Sequence, residues 1–488
     1  MSDINRRTFL STLSGAALAT AAQGFAPAPS QSRRRSAPNI VFLLLDDLGW
    51  RDFGCYGNTF HETPNLDRLA REGVRFTNAY AACPVCSPTR ASIMTGKYPA
   101  RLHLTDWIPG REQWPAAKLI TPKFEQQLPL EETTIAEALK PLGYRTASIG
   151  KWHLGGPGFW PENQGFDLNV GGTQRGSPAS YFGPFDLPNL KGGSKDDYLT
   201  EKLTEAAERF IEESAKRGPF FLYLPEYTVH IPLQARQEEI EKYRRKNGGR
   251  DFPNPTYAAM VESFDIAVGR VRKKLDDLGI ADNTILFVNS DNGGLRYEGR
   301  SKAPVTDNHP LRAGKGHLYE GGIREPLLVY WPGVAEAGRV IDSLVSSIDY
   351  FPTILEMAGA RPPGPIDGVS FASLLRGGRP PARDALYWHY PHYSNQGGVP
   401  SGAVRKGDWK LIEFYEDSRL ELFNLRQDPG ETRNLVLKEP RKAAELHALL
   451  KDWRRDTNAA MPSPNPAYDR AKADQGLTGK EPPTPPPQ

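Results

Sequence analysis

Cys86-Ser87-Pro88-Thr89-Arg90 concentrates more reactive potential than any other five residues of the chain. Ser87 is a good helix N-cap, and Pro88 suits the first helical position, where a missing N–H costs nothing. A helix running on through Ala91 to Thr95 aims its free N–H groups and positive dipole end at whatever sits beside Cys86. That is an environment for sulfate or phosphate. Arg90, one turn further in, adds a planar, bidentate donor. Cys83-Pro84-Val85-Cys86 is also a C-x-x-C pattern, so a redox pair or half a zinc site is the competing reading. The sequence has no second Cys/His pair with ligand spacing, and no thioredoxin-like βαβ unit surrounds the motif.

Two acidic pairs, Asp46-Asp47 and Asp291-Asn292, offer four hard oxygen donors and no nitrogen or sulfur. That set suits Ca²⁺ or Mg²⁺ and not zinc. A single Asp-Asp after a strand is ordinarily a turn or a helix cap. Two such pairs, each at a strand end, shift the balance toward a cation. Lys151 and His153 alternate within Gly150-Lys151-Trp152-His153-Leu154-Gly155, where the glycines permit close approach of a ligand. Lys315 lies in a long glycine-rich stretch, Gly314 to Pro326, with neither P-loop nor dinucleotide spacing. His230, in Tyr227-Thr228-Val229-His230-Ile231-Pro232, is weak evidence on its own.

Cys86-x-Pro88-x-Arg90, continued through Ala91-Ser92-Ile93-Met94-Thr95-Gly96-Lys97-Tyr98-Pro99, resembles the signature of the type I, formylglycine-dependent sulfatases. These belong to the alkaline phosphatase superfamily, and the chain looks most like bacterial arylsulfatase A-like carbohydrate sulfatases. The family usually has leucine where this chain has Met94, a change that conserves volume. The segments around residues 150, 230 and 315, and Leu422-Phe423-Asn424-Leu425 with Asp428-Pro429-Gly430-Glu431, match in family order. The resemblance implies that Cys86 is oxidised to formylglycine by a maturation enzyme. It implies one cation, calcium or magnesium, on Asp46, Asp47, Asp291 and Asn292. It assigns sulfate binding to Lys151 and Lys315, a base to His153, contact with sulfate and leaving group to His230, and support of the nucleophile to Arg90. His103 and the pair His309 and Arg312 lie in stretches that look like those of carbohydrate sulfatases. With His389, His392, Tyr393 and Arg405 they are candidates to line a sugar pocket. The expected substrate is a sulfated saccharide, attacked from its end at galactose or N-acetylgalactosamine sulfate.

These residues need a scaffold that brings them to one rim. From residue 38 short apolar runs alternate with helical segments, which predicts a large, mostly parallel α/β sheet sandwiched by helices. The family fold implied is alkaline phosphatase-like. Asn39 to Leu45 is a continuous apolar run, as a strand buried on both faces requires. Further strands are expected at Tyr144–Ile149, Phe220–Leu224, Thr284–Asn289 and Pro326–Trp331. Helices are expected from Thr63-Pro64 to Gly73, at Thr133–Leu142 and Tyr198–Lys216, and at Thr256–Leu278, whose apolar residues recur near the helical period. Asp46, Lys151, His230 and Asp291 then lie just past the carboxyl ends of four strands, where open α/β sheets bind ligands. After residue 375 short antiparallel strands and a closing helix, Pro440–Arg455, predict a small α+β subdomain.

The chain has 488 residues, 61 basic against 58 acidic, and three cysteines. The charge is near balance and no basic stripe with interleaved aromatics occurs, so nucleic acid is an unfavoured partner. Three cysteines make no disulfide framework, and Cys55 and Cys83 fit as small buried groups. The expected organisation is a twin-arginine signal over 1–35, a catalytic α/β domain over 36–375, the antiparallel subdomain over 376–460 and a disordered Pro-rich tail over 461–488. Asn5-Arg6-Arg7-Thr8-Phe9-Leu10 and the apolar run after it predict export to the periplasm. That run is too short and polar for a membrane span, and no other stretch qualifies. Two rivals stand beside the sulfatase reading. One is a phosphonate or phosphate-ester hydrolase of the same superfamily. The other is a glycan-binding protein with Cys86 unmodified.

Overall fold

A computed structural model describes residues 37–246, 253–298 and 303–473. The expected signal segment and residues 474–488 lie outside them. The run Asn39–Leu45 is a strand with every residue buried. Its alternate residues feed two cores. Val41, Leu43 and Leu45 pack on one face with helices Pro64–Glu72, Leu199–Ser214 and Pro255–Asp277. Ile40, Phe42 and Leu44 pack on the other with helices Cys86–Thr95, Ile135–Leu139 and Tyr350–Met357. At about 1.5–3 kcal/mol for each large apolar side chain fully buried, a strand used on both faces is worth far more than one with a wet side.

Nine strands form the central sheet. Along the sheet they run Arg339–Ile341, Val74–Tyr80, Arg324–Tyr330, Thr284–Ser290, Asn39–Leu45, Phe220–Pro225, Arg145–Ile149 and Leu168–Val170, with Val345–Ser346 also pairing Val74–Tyr80. Arg324–Tyr330 pairs antiparallel with both of its neighbours, and the other pairings are parallel. The mixed, mostly parallel sheet between helical layers is thus the expected fold. Register does the positioning. Leu45 lies opposite Ser290 and Leu44 opposite Pro225, so Asp46 and Asp291 leave the sheet side by side. The amide of Lys151 donates to the Pro225 carbonyl at 2.7 Å, which brings the next strand end to the same rim.

Leu386–Tyr390, Ser401–Lys406, Trp409–Phe414 and Arg419–Asn424 make an antiparallel meander. Helix Pro440–Asp456 covers one face through Ala443, Leu446 and Leu450. The other face, with Ala403, Ile412 and Phe423, packs on Tyr80, Val85 and Ile323 of the catalytic part. The described residues on both sides of position 375 fall in one compact unit, so the change there is one of architecture.

The stretch expected to open a disordered tail is ordered from 461 to 473. Ser463–Pro464 pairs antiparallel with Leu119–Ile120. Asn465 Nδ2 donates to the carbonyls of Pro115 and Ala117 at 2.8 and 2.7 Å, and Trp114 Nε1 donates to the Ala473 carbonyl at 3.0 Å. A tail rich in Pro, Lys and Asp has no core of its own, but here another segment supplies its backbone partners. Among the described residues no helix is long and apolar enough to cross a membrane.

Candidate active site

Helix Cys86–Thr95 is buried along its whole length. It begins two residues earlier than the sequence suggests. Val85, extended at φ −144°, is the N-cap and offers no side-chain acceptor. Ser87 is not the cap: its Oγ accepts the Ile108 amide at 3.1 Å, tying the helix to a neighbouring loop. The first-turn N–H groups therefore have no side-chain cap beside Cys86, the arrangement that favours an anion. Thr89 Oγ1 donates to the carbonyls of Cys83 and Val85 at 3.0 and 3.2 Å and holds the turn that presents Cys86. All three cysteines are free, so Cys83 and Cys86 form no bridge. Burial pushes the Cys86 thiol up to about 11 against the pull of Lys151 and Lys315. At neutral pH it is a protonated thiol and a poor nucleophile.

Asp46 and Asp47 follow the Asn39–Leu45 strand, and Asp47 sits at φ 63°. Lys151 Nζ donates to Asp46 Oδ2 at 2.5 Å. Lys315 Nζ donates to Asp47 Oδ2 at 2.8 Å. Arg90 Nε donates to Asp291 Oδ2 at 2.8 Å and Arg90 Nη1 to the Lys151 carbonyl at 2.9 Å. The Asp47 amide donates to Asp291 Oδ1 at 3.2 Å, and Asn292 Nδ2 to Asp47 Oδ1 at 2.8 Å. Donor atoms of Asp46, Asp47, Cys86 and His230 all fall within 4.8 Å of one another. Asp291 joins this group through Arg90 and the Asp47 amide.

Asp46 Oδ1 and Asn292 Oδ1 are buried without a hydrogen-bond partner. Such atoms are costly unless something binds them. Two bare oxygens among carboxylates fit a divalent cation, which Asp46, Asp47, Asp291 and Asn292 would hold. Burial works to raise the Asp47 carboxyl, yet Lys315, His230 and Lys151 outweigh it and hold the group well below the usual range. Burial raises Asp291 to about 6, with Asp46 adding to the rise and Arg90 opposing it.

Both histidines of the site have one nitrogen committed to a backbone carbonyl. His153 Nε2 lies 2.6 Å from the Ile108 oxygen, so it carries the proton, and Nδ1 is buried with no partner. Burial and the neighbouring Lys151 hold His153 well below its ordinary value, which keeps it neutral. His230 Nδ1 donates to the Ile231 carbonyl at 2.8 Å. Its Nε2 accepts from Lys315 Nζ at 3.3 Å. Burial, then Lys315, lowers His230 to about 3, so its resting form is neutral too.

Residues 38–360 match the family model described as Sulfatase, and residues 313–457 match the one described as N-sulphoglucosamine sulphohydrolase, C-terminal. The chain belongs to the sulfatase family. It is 33% identical to a sulfatase of Formosa agariphila, over 88% of this chain and 92% of the relative. It is 37% identical to human N-acetylgalactosamine-6-sulfatase, over 72% of this chain and 68% of that protein. The crystal structure of Ps i-CgsB in complex with k-i-k-neocarrahexaose superposes with a TM-score of 0.72 and 29% identity, covering 90% of this chain and 96% of that one. The protein is therefore a sulfuric ester hydrolase of the alkaline phosphatase type.

Within this sulfatase, ten residues singled out in the sequence meet at one rim: Asp46, Asp47, Cys86, Arg90, Lys151, His153, His230, Asp291, Asn292 and Lys315. The candidate sugar contacts fare differently. His103 is half-buried at the end of a short helix, with a left-handed backbone. His309 is exposed on a loop. Arg312 turns to the seam with the subdomain, donating to the Glu431 carbonyl at 3.2 Å and stacking on Tyr319. His389 is held between Tyr415 Oη at 2.8 Å and the Ala460 carbonyl at 2.9 Å. Tyr393 bonds Glu416, and Arg405 bonds Tyr80. His392 bonds Thr105. His389, His392 and Tyr393 spend their polar atoms on protein partners, and Arg405 lines a cavity of about 440 Å³ with Asn78, Arg324 and Arg426.

Two participants were not foreseen. Ile108 acts through its carbonyl, which no side-chain pattern reports. Gly176 lies against the His153 ring: a Cβ there would sit 2.6 Å from the imidazole Cε1.

Proposed function

We propose that this sulfatase removes sulfate from a sulfated carbohydrate, acting from the chain end on galactose or N-acetylgalactosamine sulfate, with Cys86 converted to formylglycine. One observation carries the reading. Three buried carboxylates, Asp46, Asp47 and Asp291, are met by three fixed cations, Arg90, Lys151 and Lys315, around the uncapped start of the Cys86 helix. With a divalent cation, calcium or magnesium, added on the bare oxygens, the site is positive overall and suited to a sulfate ester. The relatives named for carbohydrate sulfates, and a neighbour solved with a carrahexaose, support a saccharide substrate.

The chain's own groups divide the work. Lys151, Lys315 and the helix N–H groups hold the sulfate oxygens, a preorganised electrostatic stabilisation. The cation, when bound, screens the sulfate charge and supports the nucleophile. A formylglycine hydrate supplies one hydroxyl for attack on sulfur and a second for sulfate release. Arg90, fixed by Asp291 and the Lys151 carbonyl, supports that residue from within its own helix. His153, neutral and bare at Nδ1, accepts the proton that frees sulfate. His230 with Lys315 protonates the departing alcohol, a reading supported by the 3.3 Å contact of Lys315 Nζ with His230 Nε2. Export along the twin-arginine route, with maturation by a formylglycine-generating enzyme beforehand, completes the proposal.

The test is the mass of the Cys86 peptide from exported protein, paired with sulfate release from galactose and N-acetylgalactosamine sulfates with and without chelator. An aldehyde or hydrate mass, with chelator-sensitive release restored by Ca²⁺ or Mg²⁺, is the expected result. A plain thiol in protein that binds the sugars without turnover would overturn it in favour of a glycan-binding protein. Preferential phosphate release would favour the phosphoester rival.

A further inference from the structure

The loop from Thr105 to Arg111 lies between the catalytic centre and the C-terminal subdomain, and it is clamped from both sides. On the catalytic side the backbone of Ile108 is held on both sides of its Cα: its N–H donates to Ser87 Oγ at 3.1 Å and its carbonyl meets His153 Nε2 at 2.6 Å. Ser87 adjoins Cys86, so the backbone of one residue links the Cys86 helix to the imidazole. On the subdomain side Tyr390, the last residue of strand Leu386–Tyr390, donates from Oη to Asp106 Oδ1 at 2.9 Å. The same oxygen accepts the Trp107 amide at 2.9 Å. His392 Nε2 pairs with Thr105 Oγ1 at 2.8 Å, and Arg111 Nη1 donates to the Ser394 carbonyl at 3.0 Å. Asp106, Tyr390 and His392 are all buried.

A carboxylate that gathers a backbone amide and a tyrosine hydroxyl inside the protein fixes the turn that follows it. Here the turn carries the carbonyl that decides which imidazole nitrogen of His153 bears the proton. Which nitrogen stays free is set by the bond the other makes. We propose that Asp106, braced by Tyr390 of the subdomain, is a positioning residue for His153: it holds the Ile108 carbonyl where it locks His153 in the Nε2–H form and leaves Nδ1 bare. The catalytic advantage of that lock rests on the reading of His153 as the base. The lock itself does not. The subdomain is then part of the catalytic apparatus without touching substrate. This gives His392, expected to face a sugar, its place against the loop instead.

Imidazole ¹⁵N spectra of the full-length, metal-loaded protein test the lock directly, with His153→Gln used to assign the signal. Wild type is expected to show His153 protonated at Nε2 alone. Asp106→Ala and the milder Tyr390→Phe are expected to broaden or shift that signal toward a tautomer mixture. They should also lower kcat on an aryl sulfate by about tenfold or more while KM stays within about threefold. Asp106→Asn, which keeps one acceptor oxygen, is expected to restore most of both. A wild-type signal protonated at Nδ1 would overturn the proposal. So would a Tyr390→Phe protein that keeps its melting temperature and shows unchanged His153 signals and kcat. If the variants move the His153 signals but no sulfate ester is turned over by wild type, the proposed function fails and the positioning role stands.

Discussion

Gly176 and His153 show how little slack the site has at the scale of single residues. The His153 backbone is left-handed at φ 60° and its amide donates to the Thr173 carbonyl at 2.9 Å. Its ring is bonded on one side to Ile108 and packed on the other against Gly176. A methyl group at 176 would meet ring atoms at 2.6 and 2.8 Å, closer than any van der Waals contact allows. The ring is fully buried, so it cannot swing away freely. Gly176→Ala is therefore expected to displace the imidazole by a fraction of an ångström and cut kcat on an aryl sulfate by about 10–100-fold, since misplacement near 1 Å can cost about 100-fold. Steady-state kinetics beside a melting curve check this. A Gly176→Ala protein with wild-type kcat would mean that His153 has room the packing denies. The catalytic side chains were legible in the sequence because a lysine, histidine or aspartate after a strand stands out chemically. Ile108 and Gly176 were not. One contributes a carbonyl and the other an absence, and neither has a residue-type signature.

At the scale of elements, the work is done by strand register and by glycines at strand ends. Gly150, at φ 124°, sits where a Cβ would fall 1.9 Å from the Pro225 carbonyl oxygen, the atom that accepts the Lys151 amide. Any side chain there must part strands Arg145–Ile149 and Phe220–Pro225 just where they deliver Lys151 and His230. Gly150→Ala is expected to cost about 1–3 kcal/mol for the backbone conformation alone, with the clash added, and to lower activity more steeply than stability. Urea unfolding and turnover of the soluble fraction would show it. Equal stability and activity would remove Gly150 from the positioning argument. The buried parallel strands were readable as apolar runs, and the helices by their period and caps. Strand Val74–Tyr80 gives only a weak signal in the sequence, although Val74 and Phe76 alternate with partly exposed residues. Its run follows directly on the glycine that ends a helix, and it is interrupted by Thr77 and Asn78. The two- and three-residue strands Val345–Ser346 and Leu168–Val170 are too short to give any period.

The whole molecule is held across its internal seam by charge as well as by apolar contact. Lys410, on the subdomain strand Trp409–Phe414, is fully buried between Glu320 and Glu431, 2.9 Å from an oxygen of each. Glu320 opens a short helix five residues after Lys315, so this cation ties the subdomain to the loop that carries a lysine proposed to bind sulfate. Burial pushes Glu431 up to about 7, Lys410 pulling against the rise and Glu320 adding to it. The folded state thus holds more protons than the unfolded chain between the ordinary 4.5 and about 7. Glu431's contribution to stability is full below that window and is lost as pH rises through it. Lys410→Met removes the ammonium group that the two carboxylates share. It leaves uncompensated buried charge, worth about 3–5 kcal/mol when a single partner is removed. At pH 5 Glu431 can take a proton and part of that cost disappears. The substitution is therefore expected to destabilise the protein by several kcal/mol at pH 8 and by clearly less at pH 5, measured by urea unfolding at each pH against wild type. A loss equal at both values would mean that the seam depends on the packing of the lysine stem and not on its charge. The pH-dependent loss marks the seam as an electrostatic joint. Its failure at high pH would loosen the Lys315 loop and the subdomain together.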